Sequence, residues 1–257
     1  MKKFYRFLAF LLITAMICPL LPVSVSAAGY NLGDSGYSKI GSLPNTYVAS
    51  QGMAADENYV YSLKTPSGDH NNAIIYRTSI HDGSTIALTN GDNTSTSVLN
   101  GLGHGNDMAA VVHNGKTYLY VTTMYHVGHA EYSAHTLWKL EVNGTTVRKV
   151  AYYDVNDGSN PINFVALALH SFNDGTVRLL GSISSMVFYM DIGINQGSSS
   201  VTCKYICPLN YKSITVPTGA PSYSGTSYYE VQGMTYNNNR LYFVMTANAN
   251  NTPRNKN

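Results

Sequence analysis

Beyond its N-terminal segment the chain is written in short apolar runs, rich in Val, Ile, Tyr, Phe and Thr and broken by Gly, Asn, Asp and Ser. No stretch places its apolar residues at the 3.6-residue period of an amphipathic helix. Alternation and short continuous runs prevail, which predicts an all-β chain. Four segments share one pattern: VASQGMAADENYVYSLK (48–64), HGNDMAAVVHNGKTYLYVTT (104–123), NFVALALHSFNDGTVRLLGS (163–182) and YEVQGMTYNNNRLYFVMT (229–246). Each has a polar start, a small apolar strand, a turn of Asn, Asp or Gly, and a strongly apolar second strand. Each predicts a β-hairpin.

After three of these hairpins comes a second strand pair: AIIYRTSIHDGSTIALT (73–89), HTLWKLEVNGTTVRKVAYY (135–153) and MVFYMDIGINQGSSSVTCKYI (186–206). The unit is therefore four antiparallel strands, and aligning Met53, Met108, Leu167 and Met234 gives spacings of 55 to 67 residues. A four-stranded unit of that period predicts a β-propeller. A β-sandwich also spaces its strands regularly, but gives no reason for the same polar start to return four times. The expected blades lie near 48–90, 104–154, 163–207 and 229–247, within a propeller domain spanning 28–247, followed by a polar tail at 248–257. Only 23 residues follow Met234, so the propeller is expected to be incomplete at its C-terminus, with 36–45 placed to supply a closing outer strand.

The N-terminus changes the cellular picture. Lys2, Lys3 and Arg6 precede an apolar run from Phe7 to Leu21 and a small-residue site at Val25-Ser26-Ala27. That is the pattern of a secretory signal peptide over 1–27, so the mature chain is expected outside the cell. No later segment is apolar enough to span a membrane. Charged residues are 12%, and a net charge of +2 gives no electrostatic case for nucleic acid. Beyond the signal stand two cysteines, Cys203 and Cys207. Four positions apart on one strand, they would be about 13 Å from each other. Two strand thiols are therefore expected rather than a disulfide.

In a four-stranded antiparallel unit, the loop leading into the first strand and the loop joining the second to the third lie at the same end. The first kind places Gln51, His104, Asn106, Asp107, Asn160, Asn163, Tyr229, Glu230 and Gln232 there. Of these Gln51, His104, Asn106, Asp107, Asn163, Tyr229, Glu230 and Gln232 are the candidate binding residues. The second kind adds His126, His129, Glu131 and His135, whose residue types suit a metal ion. Their H-x-x-H-x-E-x-x-x-H spacing imposes no site, and a solvated polar loop explains it as well. No metal or other cofactor is expected.

His104, Asp107 and Glu230 are the candidate catalytic residues, as acids or bases. The competing reading is structural. Gln51-Gly52, Asn106-Asp107 and Gln232-Gly233 stand at equivalent places in the repeat, where a role in turns and between blades explains them all. The chain has no G-x-S-x-G elbow, phosphate-binding glycine loop, H-E-x-x-H or EF-hand loop. Tyr125, Tyr132, Tyr223, Tyr228 and Tyr229 fall in the same loops, where aromatics with a polar tip suit carbohydrate or peptide contact.

The strand starts QGMAADENYVYSL, GHGNDMAAVV and VQGMTYNNNRLYFV resemble those of secreted propeller proteins of Gram-positive bacteria, among them the helveticin J type, a bacteriocin family. The resemblance implies a secreted, surface-acting propeller and carries over no catalytic residues. The expected function is a monomeric binding protein for cell-wall or surface glycans or a protein partner, with bacteriocin-like action as one variant. The alternative is an extracellular glycan hydrolase or lyase working at the mouth of a central channel.

Overall fold

The computed structural model describes residues 39–66, 72–123, 135–183, 186–209 and 229–247, which are all-β with no helix. They belong to one unit formed by residues 38–214 and 223–257. The four hairpins stand where the apolar pattern puts them: β1 (Ala49–Ala55) with β2 (Tyr59–Thr65), β7 (Met108–His113) with β8 (Lys116–Thr122), β11 (Ala166–Asn173) with β12 (Thr176–Ile183), and β16 (Tyr229–Asn237) with β17 (Arg240–Ala247). Three of their turns are two residues long with both φ positive: Asn114-Gly115, Asp174-Gly175 and Asn238-Asn239. That backbone twist matches the strands it joins, and Gly, Asn and Asp tolerate it best. The first hairpin turns on Asp56 instead, whose Oδ1 accepts the N–H groups of Asn58 and Tyr59 at 2.9 and 2.8 Å.

Three hairpins grow into larger sheets. The first sheet runs β1-β2-β3-β4, with β3 (Asn72–Ser79) and β4 (Thr85–Ala87), and β6 (Leu99–Asn100) also pairs β3. The second runs β7-β8-β9-β10, with β9 (Thr136–Asn143) and β10 (Thr146–Asn156). The third runs β11-β12-β13-β15, with β13 (Met186–Gly193) and β15 (Lys204–Pro208), and the fourth is the pair β16-β17. Within the first three sheets the main strands follow chain order and are antiparallel. The first strands lie beside one another in succession, β1 by β7, β7 by β11 and β11 by β16.

The sequence pattern does not foresee what happens at the outer edges. After β4 the chain crosses at the buried Leu88 and forms β5 (Thr89–Asn90), which pairs in parallel with the start of β10. From the other side, β14 (Ser199–Thr202) pairs in parallel with the end of β10 before β15 returns to the third sheet. The strand read as one piece through Thr202 and Tyr205 is thus shared between two sheets. Cys203 is the crossing point, its N–H donating to the Asn156 carbonyl at 2.7 Å. Both Cys203 and Cys207 are free thiols, and burial pushes the Cys203 thiol up to about 11. Residues 39–48 form no strand; Gly41 packs beside Thr78 and Thr85 of the first sheet, and Lys64 Nζ donates to the Pro44 carbonyl at 2.6 Å.

The core lies between facing sheets. One cluster, around Tyr61, Leu63, Ile75, Leu119, Trp138 and Leu140, joins the first and second sheets. Another, around Tyr120, Tyr153, Leu167, Leu179, Phe188 and Met190, joins the second and third, and Ala166, Leu180, Val231 and Met234 join the third and fourth. Middle strands are consequently buried on both faces, as in β9, where Thr136 to Val142 are all buried. Even Lys139 is buried there, with Nζ bonded to the Ile194 carbonyl and lying 4.6 Å from the Tyr118 ring centroid. Trp138 is a packing residue whose Nε1 donates to the Gly101 carbonyl at 2.9 Å. Packing is tight enough that Gly181 matters: a Cβ there would lie 2.6 Å from ring atoms of Phe164. Gly181→Ala is expected to destabilise by about 1–3 kcal/mol, the usual cost of overpacking; a chemical-denaturation midpoint equal to the wild type would refute this.

Candidate functional site

A first strand at the inner side of its sheet has one edge with no neighbouring strand, so its N–H groups need other acceptors. Asp107 is that acceptor. Its Oδ1 accepts the Met108 N–H at 2.9 Å, and its Oδ2 accepts the N–H groups of Leu167 at 2.8 Å and Met234 at 2.9 Å. These three donors are positions that align in the sequence repeat, drawn from the second, third and fourth sheets. The fourth aligned position is Met53 in β1, and the residue before it is tied to the same loop: the Gly52 N–H donates to the Gly105 carbonyl at 2.8 Å. Asn106 completes the junction with Nδ2 bonded to the carbonyls of Val165 and, at 3.5 Å, Gln232.

Asp107 is 5% exposed and Asn106 4%. Burial pushes the Asp107 carboxyl up to about 7, against the opposing pull of its three amide donors. A carboxyl in that range has the acidity of a general acid or base. Its geometry argues otherwise, because both oxygens face backbone amides and the side chain is enclosed.

The other sequence candidates divide around this junction. Gln51 is half-buried, in a β-bulge between Ser50 and Met53; Gln232 is exposed, in the matching bulge between Val231 and Gly233. His104 is half-buried with its N–H on the Thr123 carbonyl at 2.9 Å, and Asn163 is exposed. For Tyr229 and Glu230 only the backbone belongs to the described residues, where they pair with Ala247 and Thr246. His126, His129 and Glu131, with Tyr125, Tyr132, Tyr223 and Tyr228, lie outside the described residues, as do the segments 1–27 and 248–257. His135 is described, and borders a shallow cavity of about 360 Å³ with Asp154, Asn156 and Asn160. Among the described residues no group of three or more His, Cys, Asp or Glu could hold a metal ion.

A larger cleft, of about 730 Å³, opens at the opposite end of the strands, between the turn of the first hairpin and the far ends of β7 and β11. One wall is built on Asp56, whose Oδ2 accepts both the Tyr61 hydroxyl and the Thr117 hydroxyl at 2.9 Å. Arg77 forms another, its Cζ 4.3 Å from the Tyr59 ring centroid and Nη1 donating to the Gly144 carbonyl. Val112, Leu169 and Phe172 supply an apolar side, and Glu57 stands exposed at the rim. None of these residues was a sequence candidate. The available signals were weak: the Asp-Glu-Asn turn in AADENYV, and Arg77 as the lone charge in the strand NAIIYRTS.

No protein-family model matches the chain, and no curated protein does. Among solved structures it is similar to one titled "Crystal structure of the computationally designed Ika4 protein", at 12% identity and a TM-score of 0.31, covering 82% of this chain and 98% of that one.

Proposed function

We propose that the chain is a secreted binding module, that its sheets are successive blades of a propeller, and that it recognises an uncharged surface glycan. The observation that carries this reading is the use of Asp107: the one buried acid among the aligned strand starts spends both oxygens on the amides of Met108, Leu167 and Met234. Acid–base chemistry needs a carboxyl that reaches a substrate. A carboxylate tying three sheets together serves architecture, so the polar residues around it are the ones that meet a ligand.

The propeller arrangement is supported by consecutive antiparallel sheets whose first strands lie side by side, three of them bonded to this carboxylate. Glycan recognition is supported by the uncharged side-chain amides of Gln51 and Gln232, whose backbones adjoin the junction, since such amides both donate to and accept from sugar hydroxyls. Bacteriocin-like action is one use of such recognition at a target cell wall.

The test is binding of the secreted chain to a panel of immobilised cell-wall glycans. Gln51→Ala and Gln232→Ala are each expected to weaken binding roughly 2- to 12-fold, the loss of one neutral hydrogen bond. Affinities unchanged in both variants, or release of reducing ends from the glycan, would overturn the reading.

A further inference from the structure

The cleft at the far end of the strands shares no residue with the Asp107 junction. We infer that it binds a short apolar peptide with free termini, the ammonium set by Glu57, the carboxylate by Arg77, and the side chains against Val112, Leu169 and Phe172.

The volume fits: about 730 Å³ lies within the range of sites that enclose small ligands. The walls fit as well. Val112 is 51% exposed although it lines a concavity, and Leu169 and Phe172, which line it too, are only half-buried. Apolar groups left open inside a cleft gain from an apolar occupant.

The charges then select what carries that apolar part. Asp56 is not available to a ligand: its two oxygens accept from Asn58, Tyr59, Tyr61 and Thr117. Its negative charge stays in the wall, and two charged groups, Glu57 and Arg77, keep hydrogen-bonding capacity for a ligand. The Glu57 carboxylate is exposed at the turn of the first hairpin. The Arg77 guanidinium lies over the Tyr59 ring and is anchored on Gly144 through Nη1 alone. A guanidinium fixed in this way keeps donors for the paired hydrogen bonds that suit a carboxylate. One fixed cation and one anion on the same cleft complement a zwitterion. A neutral saccharide would leave both without a counter-charge, a simple anion would meet the carboxylates of Asp56 and Glu57 with like charge, and a simple cation would leave the Arg77 donors unused.

The experiment is calorimetric titration of the full chain with the tripeptide Leu-Ala-Leu in three forms: free, N-acetylated and C-amidated. Maltotriose serves as the neutral saccharide. The free peptide is expected to bind saturably, amidation to weaken it at least tenfold, and acetylation to weaken it by a similar factor. Arg77→Gln should bind the free and amidated forms alike, and Glu57→Gln the free and acetylated forms alike. Because Glu57 is exposed at a turn, its variant tests the assignment even where Arg77→Gln perturbs the contact with Gly144. Absence of saturable peptide binding by chain with a cooperative thermal transition overturns the proposal. So does binding indifferent to capping, or preference for maltotriose that both variants reduce. The first two outcomes leave the glycan reading untouched, since its residues lie at the other end of the strands, whereas the third would move saccharide binding to this cleft.

Discussion

Asp107→Ala is expected to lower the melting temperature by roughly 10–20 °C, or to abolish a cooperative transition altogether. The change removes the carboxylate that accepts three buried amides on three sheets, those of Met108, Leu167 and Met234. An orphaned buried donor costs about 1–3 kcal/mol. Three of them approach the whole net stability of a domain, about 5–15 kcal/mol. Asp107→Asn separates the contributions. Its single carbonyl oxygen can still take the Leu167 and Met234 amides, while its NH₂ group would confront the Met108 N–H donor. A loss of about half the alanine effect is expected. Differential scanning calorimetry decides the matter, and an Asp107→Ala transition within about 3 °C of wild type would show that the carboxylate does not hold the sheets.

The same residue gives the chain an unusual stability profile with pH. Burial raises the Asp107 carboxyl from 3.8 to about 7 in the folded chain. Between those values the folded chain keeps a proton that the unfolded chain has released, so stability falls as pH rises. The contribution is fully present below about pH 4 and lost once pH passes 7, with a limit on the order of 4 kcal/mol. Glu141 and Asp191 act oppositely and elsewhere. Both are held below the usual carboxylate range: Asp191 by the Arg178 fork, Glu141 by Lys116 and Arg148 against the pull of burial. Their stabilisation is lost only as pH falls below the ordinary carboxylate range. Urea unfolding at pH 5 and pH 7.5 should therefore favour pH 5 in the wild type, and Asp107→Asn should remove that preference. Equal pH dependence in the two proteins would assign the effect to other groups.

Much of the fold is legible in the sequence because it is local. The turns HNGK, NDGT and NNNR encode positive φ at adjacent residues, and that alone fixes three hairpins and their registers. The repeat aligned by Met108, Leu167 and Met234 is legible for a deeper reason, since those positions share one acceptor and hence one backbone geometry. What the sequence hides is pairing between distant segments. Nothing in TIALTN or SSSVTCKYI shows that the chain changes sheets at Leu88 and Cys203, because an edge pairing of two to four residues leaves no periodicity of its own. The Arg77 cleft is hidden likewise: Arg77, Tyr59 and Thr117 come together through packing of two sheets, and each looks like an ordinary strand residue in its own segment. His104 and Asp107 are conspicuous between glycines, but spacing alone does not tell a reactive pair from a structural one. Their setting is a junction of backbone edges, which only the third dimension reveals.

The two short parallel strands on β10 have a further consequence for how the chain comes apart. In a simple repeat array each unit touches only its neighbours and can melt by itself, so unfolding spreads stepwise. Here β5 arrives from the first sheet and β14 from the third, and both are bonded to one strand of the second. None of the three can open fully without stripping β10. The array loses its independent repeats, and the three sheets form a single cooperative unit, secured by six residues of borrowed strand.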